Sequence, residues 1–242
     1  MDKQTILITR PQDDAELFAK ALAEHAITSL IQPMLDIRYI PFDPPDLDTF
    51  EGLIFTSANG VKAFAARALP QTIKTDITVY TVGGNTAQAA RDAGFNDVIT
   101  AGGNAASLIE ILPPADGKLL HLHGRHITPA FRPPRDLTIE ELIIYEAKQR
   151  RTLSETTRAA LQNNGLHAIT FFSKRTAEAF IHAAEAAGFD PSQTGIKALC
   201  ISESVLNYVR KKNWQNAYSA DTPDQNGMTQ LVCRHCRKTE QF

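Results

Sequence analysis

The chain has 242 residues, 43% hydrophobic and 21% charged, with a formal net charge of -2 at pH 7. That balance belongs to a globular protein of one or two domains, and it leaves no electrostatic footprint for nucleic acid. No apolar run approaches the ~20 residues that span a bilayer and no signal-peptide pattern opens the chain. The cysteines, Cys200, Cys233 and Cys236, make no disulfide framework, so a cytoplasmic protein with free thiols and no membrane partner is expected.

Short apolar runs alternate with longer helical patterns, as in βα units over a parallel sheet. A strand is expected over Thr5–Thr9, then a helix over Asp13–His25 and a strand over Ser29–Gln32. Residues 35–41 read as extended with no helix attached. Strands over Gly52–Thr56, Thr78–Val82 and Asp97–Thr100 then alternate with helices over Ala58–Leu69, Asn85–Ala93 and Asn104–Leu112. A strand over Lys118–Leu122 leads to a second lone extended segment, 138–148. The remainder alternates helices (Glu155–Asn164, Lys174–Ala187, Glu203–Lys211, Asp224–Cys233) with strands (Ala168–Phe172, Lys197–Ile201, Asn216–Ser219). Gly94 and Gly188 stand where left-handed C-caps would close two of these helices.

The chain says nearly the same thing twice. Ile6-Leu7-Ile8-Thr9-Arg10 returns as His121-Leu122-His123-Gly124-Arg125, Thr56-Ser57-Ala58 as Phe172-Ser173-Lys174, and the stretch from Gly94 as the stretch from Asn213, at offsets of 115, 116 and 119 residues. So steady a register implies a duplicated unit of domain size and a ligand cleft between its two copies. Two arrangements fit. Simple tandem halves would divide near residue 115. Alternatively the extended segments pair as a two-stranded connector, and residues 1–34 join the sheet built after 148.

In an open parallel sheet, ligands bind beyond the carboxyl ends of the strands, where loops enter helix N-termini. Four such turns are rich in small polar residues: Thr56-Ser57-Ala58-Asn59, Val82-Gly83-Gly84-Asn85-Thr86, Phe172-Ser173-Lys174-Arg175 and Ile201-Ser202-Glu203-Ser204. Ser57, Asn85, Ser173 and Ser202 could simply be N-caps. Together, however, the turns offer unpaired N–H groups suited to carboxylates or phosphates. Arg10 and Arg125, at matching strand ends, would add guanidinium contacts. A multiply anionic ligand is the expected partner.

Other chemistries find little support. Gly83-Gly84-Asn85 is no dinucleotide fingerprint, and the chain has no P-loop or nucleophile elbow. His121, His123 and His126 suggest a metal site, yet no Cys, Asp or Glu near them in sequence completes a ligand set. Cys233-Arg234-His235-Cys236 has C-x-x-C spacing but is expected in a fraying C-terminal tail with no second pair. No metal is therefore assigned. A cofactor-independent enzyme that works by positioning remains, or a non-catalytic two-domain binding protein for a polyanionic small molecule.

In order and spacing, Ile8-Thr9-Arg10-Pro11, Phe55-Thr56-Ser57-Ala58-Asn59-Gly60-Val61, Val82-Gly83-Gly84-Asn85-Thr86-Ala87, Gly124-Arg125, Ile144-Tyr145-Glu146, Phe171-Phe172-Ser173 and Ile201-Ser202-Glu203 resemble the uroporphyrinogen-III synthase family over about residues 4–232. The resemblance implies two flavodoxin-like α/β domains with parallel sheets, joined by a two-stranded β-ladder. Domain 1 would be 1–34 plus 149–242, the ladder 35–41 and 138–148, and domain 2 would be 42–137. It implies a monomeric lyase of tetrapyrrole biosynthesis needing no cofactor, which closes hydroxymethylbilane, a linear tetrapyrrole bearing eight carboxylates, with loss of water and inversion of ring D. Hydroxymethylbilane synthase would be the upstream donor.

By the same resemblance Tyr145 is the candidate catalytic residue, a general acid for the departing hydroxyl. Arg10, Ser57, Ala58, Asn59, Gly84, Thr86, Arg125, Ser173, Lys174, Ser202 and Ser204 are the candidate substrate contacts. Ser204-Val205 stands where many relatives carry a pair of hydroxyl residues.

Overall fold

Strand β1 (Thr5–Ile8) pairs in parallel with β2 (Thr28–Ile31) on one side and with β9 (Ala168–Phe171) on the other. One sheet is thus built from chain segments more than a hundred residues apart. These pairings belong to a computed structural model that describes residues 5–67, 75–113, 117–126, 137–190 and 194–236. The chain divides into two units, Met1–Asp36 with Lys148–Phe242, and Ile37–Ala147.

In the first unit β10 (Lys197–Cys200) and β11 (Ala217–Ser219) extend the sheet to the order β2-β1-β9-β10-β11, with parallel pairing throughout. The strands are short and almost wholly apolar because helices cover both faces. Alternation sends Leu7, Ile169 and Ala198 to one side, with Phe180 and Trp214. Ile6, Ile8, Ala168 and Leu199 face the other side, with Phe18, Met228 and Leu231. The helices are α1 (Gln12–Ala23), α5 (Glu155–Gln162), α6 (Lys174–Ala186), α7 (Glu203–Lys211) and α8 (Gln225–Cys236).

The second unit contains most of β3 (Leu35–Tyr39), β4 (Gly52–Phe55), α2 (Ala58–Arg67), β5 (Thr78–Thr81), α3 (Gly84–Asp92), β6 (Val98–Thr100), α4 (Ala105–Ile111), β7 (Lys118–Gly124) and most of β8 (Thr138–Gln149). Its sheet runs β3-β8-β7-β4-β5-β6. Leaving out β3, the order β8-β7-β4-β5-β6 matches β2-β1-β9-β10-β11 strand for strand through the sequence repeat. Both follow the flavodoxin-type pattern, but the second unit is circularly permuted because its copy of β1 comes after its copies of the last three strands.

The lone extended segments are neighbours, as β3 and β8, and Ile40 N donates to Ile144 O at 2.9 Å. β8 also pairs with β7 over residues 118–124, so both segments form the edge of the six-stranded sheet. Just past β8, the Arg150 guanidinium meets Asp36 Oδ1 of β3 at 2.6 and 2.7 Å.

Two helix boundaries differ from expectation for a clear physical reason. α3 begins at Gly84, and Gly83 rather than Asn85 is its N-cap. α8 continues to Cys236 where a fraying tail was expected. The apolar positions Met228, Leu231, Val232 and Cys236 are all buried, and their spacing keeps one helix face against the sheet. Leu69, the expected end of α2, lies outside the described residues. Gly94 and Gly188 take φ of 98° and 76°, the left-handed conformation that closes a helix. Among the described residues no helix is long and apolar enough to cross a membrane.

Candidate active site

In the first unit the strand order reverses between β1 and β9, the place where such sheets bind ligands. Thr9 Oγ1 donates to Thr170 O at 2.6 Å and ties the two strand ends together. Arg10 follows, but its guanidinium is largely occupied. It lies 4.2 Å over the Phe172 ring, with Nη2 3.2 Å from Asp14 Oδ2 and Nη1 donating to Gln225 Oε1 at 3.4 Å. Its side chain is only 13% exposed. Arg10 thus braces α1 and α8 across the end of the sheet.

Ser173 is the N-cap of α6 and accepts from Thr176 N at 3.1 Å. Lys174, in the first turn, is exposed. Ser202 occupies the N-cap of α7, yet no side-chain capping bond forms there. Ser204 is exposed in the same turn. The Glu203 carboxylate beside it accepts a short hydrogen bond from the Ser219 hydroxyl.

In the second unit the equivalent reversal lies between β7 and β4. Ser57 Oγ accepts from Asn59 N at 3.2 Å as α2 begins, and Ala58 and Asn59 are half-buried in that turn. At α3 the cap is Gly83, extended and without a side chain to give, so the Gly84 and Asn85 amides at the start of the helix can donate to an anion. Gly84 is exposed there. Thr86 is 7% exposed, so its side chain joins the interior face of α3 where an open hydroxyl was expected.

Tyr145 gathers the rest of this edge. A register shift between His123 and Gly124 leaves Ile144 out of the pairing and sets Tyr145 against Gly124. Such a bulge re-aims side chains near strand ends. Ile144 is fully buried and the Tyr145 ring packs on the same cluster. A Cβ on Gly124 would lie 2.6 Å from Tyr145 Cζ, and one on Gly60 would lie 3.7 Å from Tyr145 Cε1. The phenol is therefore seated between two glycines, beside the first turn of α2 and its Ser57-Ala58-Asn59. Arg125 N donates to Tyr145 O at 2.9 Å. The Arg125 side chain is 54% exposed, its Nε 3.6 Å from Glu146 Oε2.

Sequence alone missed three parts of this arrangement. Gly60 and Gly124 cradle Tyr145, Asp14 and Gln225 hold Arg10, and Glu141 stands beside the histidines. The parallel register sets His121 opposite Glu141, with His121 Nδ1 3.8 Å from Glu141 Oε1. An acidic neighbour therefore exists, across the ladder, where the sequence showed none. His121 is fully buried, which pushes its pKa down to about 3, with His123 adding to the effect. His126 is exposed and lies outside this group.

Residues 16–230 match the family model for uroporphyrinogen-III synthase HemD. The chain belongs to the uroporphyrinogen-III synthase family. It is 28% identical over 195 residues to a uroporphyrinogen-III synthase of Chlorobaculum parvum, covering 74% of this chain and 79% of that one. Among solved structures it resembles the synthetase of Helicobacter pylori, with a TM-score of 0.64 and 21% identity, over 96% of this chain and 99% of that one. A mutant synthase from Thermus thermophilus matches at 0.58 and 18% identity, over 96% and 98% of the two chains. At these identities the structural likeness speaks for the two-domain α/β fold. Membership of the family makes the chain a lyase of tetrapyrrole biosynthesis.

Proposed function

We propose that the chain closes hydroxymethylbilane to uroporphyrinogen III, with Tyr145 as general acid and turns at the carboxyl ends of the strands holding the substrate's carboxylates. The observation that carries this reading is the seat of Tyr145 between Gly60 and Gly124, beside the α2 turn. A phenol fixed against two backbones and next to helix amides can donate to a leaving hydroxyl whose departure yields a stabilised pyrrolic cation. Ring D then attacks through its substituted carbon, and the spiro intermediate fragments and recloses with that ring reversed.

Closure without inversion needs no catalyst, so the protein's main contribution is geometric. Holding a flexible chain near one attack geometry can supply roughly 7–11 kcal/mol at best. The uncapped N-termini of α3 and α7 suit substrate carboxylates, and the exposed Arg125 and Lys174 supply positive charge. Ser57 and Ser173 align their turns, with Ala58, Asn59 and Gly84 offering backbone contacts and Ser202 and Ser204 hydroxyls, while Thr86, buried, packs the α3 turn from within. Arg10 contributes by bracing β1 against α8. The chain is proposed to act as a cytoplasmic monomer supplied by hydroxymethylbilane synthase.

The deciding experiment incubates hydroxymethylbilane with and without the purified protein, oxidises the products and separates the porphyrin isomers. Isomer III is the expected product. Isomer I at the spontaneous rate, from demonstrably folded protein, overturns the proposal and leaves a binding protein.

A further inference from the structure

Strand period two puts His121 and His123 on one face of β7, with ring centroids 4.6 Å apart, and the register with β8 adds Glu141. One potential ligand atom from each of His121, His123 and Glu141 lies within 4.8 Å of the others, the one such trio of His, Cys, Asp or Glu among the described residues. His123 is 3% exposed, and its Nδ1 lies 2.8 Å from the carbonyl oxygen of Gly124. A carbonyl only accepts, so Nδ1 carries the proton and Nε2 is the bare nitrogen of the neutral ring. That Nε2 is buried and has no hydrogen-bond partner among the described residues. Buried polar atoms are nearly always paired. An imidazole with one nitrogen donating to a backbone carbonyl and the other bare is arranged as metal-bound histidines are.

We propose that His121, His123 and Glu141 bind a divalent transition-metal ion of the Zn2+ type, as a clip joining β8 to β7. Two imidazoles and a carboxylate suit Zn2+, with water completing the tetrahedron. Bonds of about 2.0–2.2 Å bring the ligand atoms of one ion to roughly 3–4 Å from each other. The trio therefore closes slightly on binding, and the Glu141 side chain, 57% exposed, has room to move inward. The ion sits on the sheet face opposite Leu122 and Ile144, which pack in the other cluster. It is therefore distinct from the turns assigned to the substrate.

The test uses the full-length protein, stripped with a chelator and titrated with Zn2+ against a chromophoric competitor, with Co2+ absorption as the geometric probe. One Zn2+ per chain at micromolar affinity or tighter is expected, with a higher melting temperature and a tetrahedral Co2+ spectrum. Glu141→Gln, at an exposed position, keeps the fold and weakens binding about tenfold or more, while Cys233→Ser changes nothing. Absence of Zn2+ binding overturns the proposal. So does binding that survives Glu141→Gln unchanged, or binding that disappears in Cys233→Ser, which would assign the ion to the C-terminal C-x-x-C.

Discussion

The ring of Tyr145 lies directly over Gly124, so that a methyl group on Gly124 would meet Cζ at 2.6 Å, Cε2 at 2.7 Å and the hydroxyl oxygen at 3.0 Å. No heavy atom packs at those distances. The glycine is required by side-chain proximity, and the phenol is held at one position by backbone rather than by a mobile neighbour.

Gly124→Ala should therefore move Tyr145. Overpacking of this kind costs about 1–3 kcal/mol, a loss that urea denaturation would read directly. The rate of isomer III formation is expected to fall about tenfold or more, because the proton donor is displaced. KM should change less, since the substrate-holding turns at α3, α6 and α7 are unaltered. A fully active, fully stable Gly124→Ala protein would remove the cradle from the mechanism.

Tyr145→Phe separates the ring from its hydroxyl. The ring still fills the space between Gly60 and Gly124, so the melting temperature should shift by only a few degrees. A lost general acid typically lowers rate by ~10²–10⁴-fold, and isomer-resolved kinetics should show a fall at the lower end of that range. Residual formation of isomer III is expected, because substrate positioning is intact. An unchanged rate would leave Tyr145 as a packing residue.

The sequence made the repeat legible because each copy keeps its own strand ends, as in Arg10 and Arg125 or Ser57 and Ser173. Periodicity located the helices for the same reason, one apolar face each. What it could not reveal depends on partners brought together by tertiary pairing. Glu141 reaches His121 only through the β7–β8 register, twenty residues along the chain. Asp14 and Gln225 converge on Arg10 from two helices, and nothing in the spacing of Gln225 marks that meeting. Asn85 looks like a cap but is not one, because the helix starts at Gly84 and its cap, Gly83, has no side chain to signal the role.

Burial also orders the cysteines. Cys200 is fully buried, and burial pushes its thiol up to about 12; the same cause raises Cys236 to about 11. Cys233 is only half-buried. Alkylation at pH 8 should therefore label Cys233 first, with Cys200 and Cys236 reacting only after denaturation, as peptide mass mapping would show. The ordinary thiol value is 9.0, so an unfolded chain loses these protons before the folded one does. The resulting contribution to stability is complete below about pH 9 and is lost as pH rises toward 11–12. Urea midpoints should fall across that window, and less steeply in Cys200→Ala. Rapid labelling of Cys200 in native protein would contradict its placement in the core.

Ser173 and Ser202 occupy matching N-cap positions on α6 and α7 but do different things. Ser173 accepts from Thr176 N, whereas Ser202 makes no side-chain cap bond. Ser173→Ala should therefore cost about 1 kcal/mol of stability, visible in urea denaturation. Ser202→Ala should leave stability nearly unchanged, because it removes no capping interaction. If the α7 amides and the Ser202 hydroxyl hold a substrate carboxylate, Ser202→Ala should instead raise KM several-fold with a smaller change in kcat. An unaltered KM in Ser202→Ala would withdraw that turn from the substrate contacts while leaving the capping contrast intact. A stability loss equal to that of Ser173→Ala would show that both serines are caps in solution.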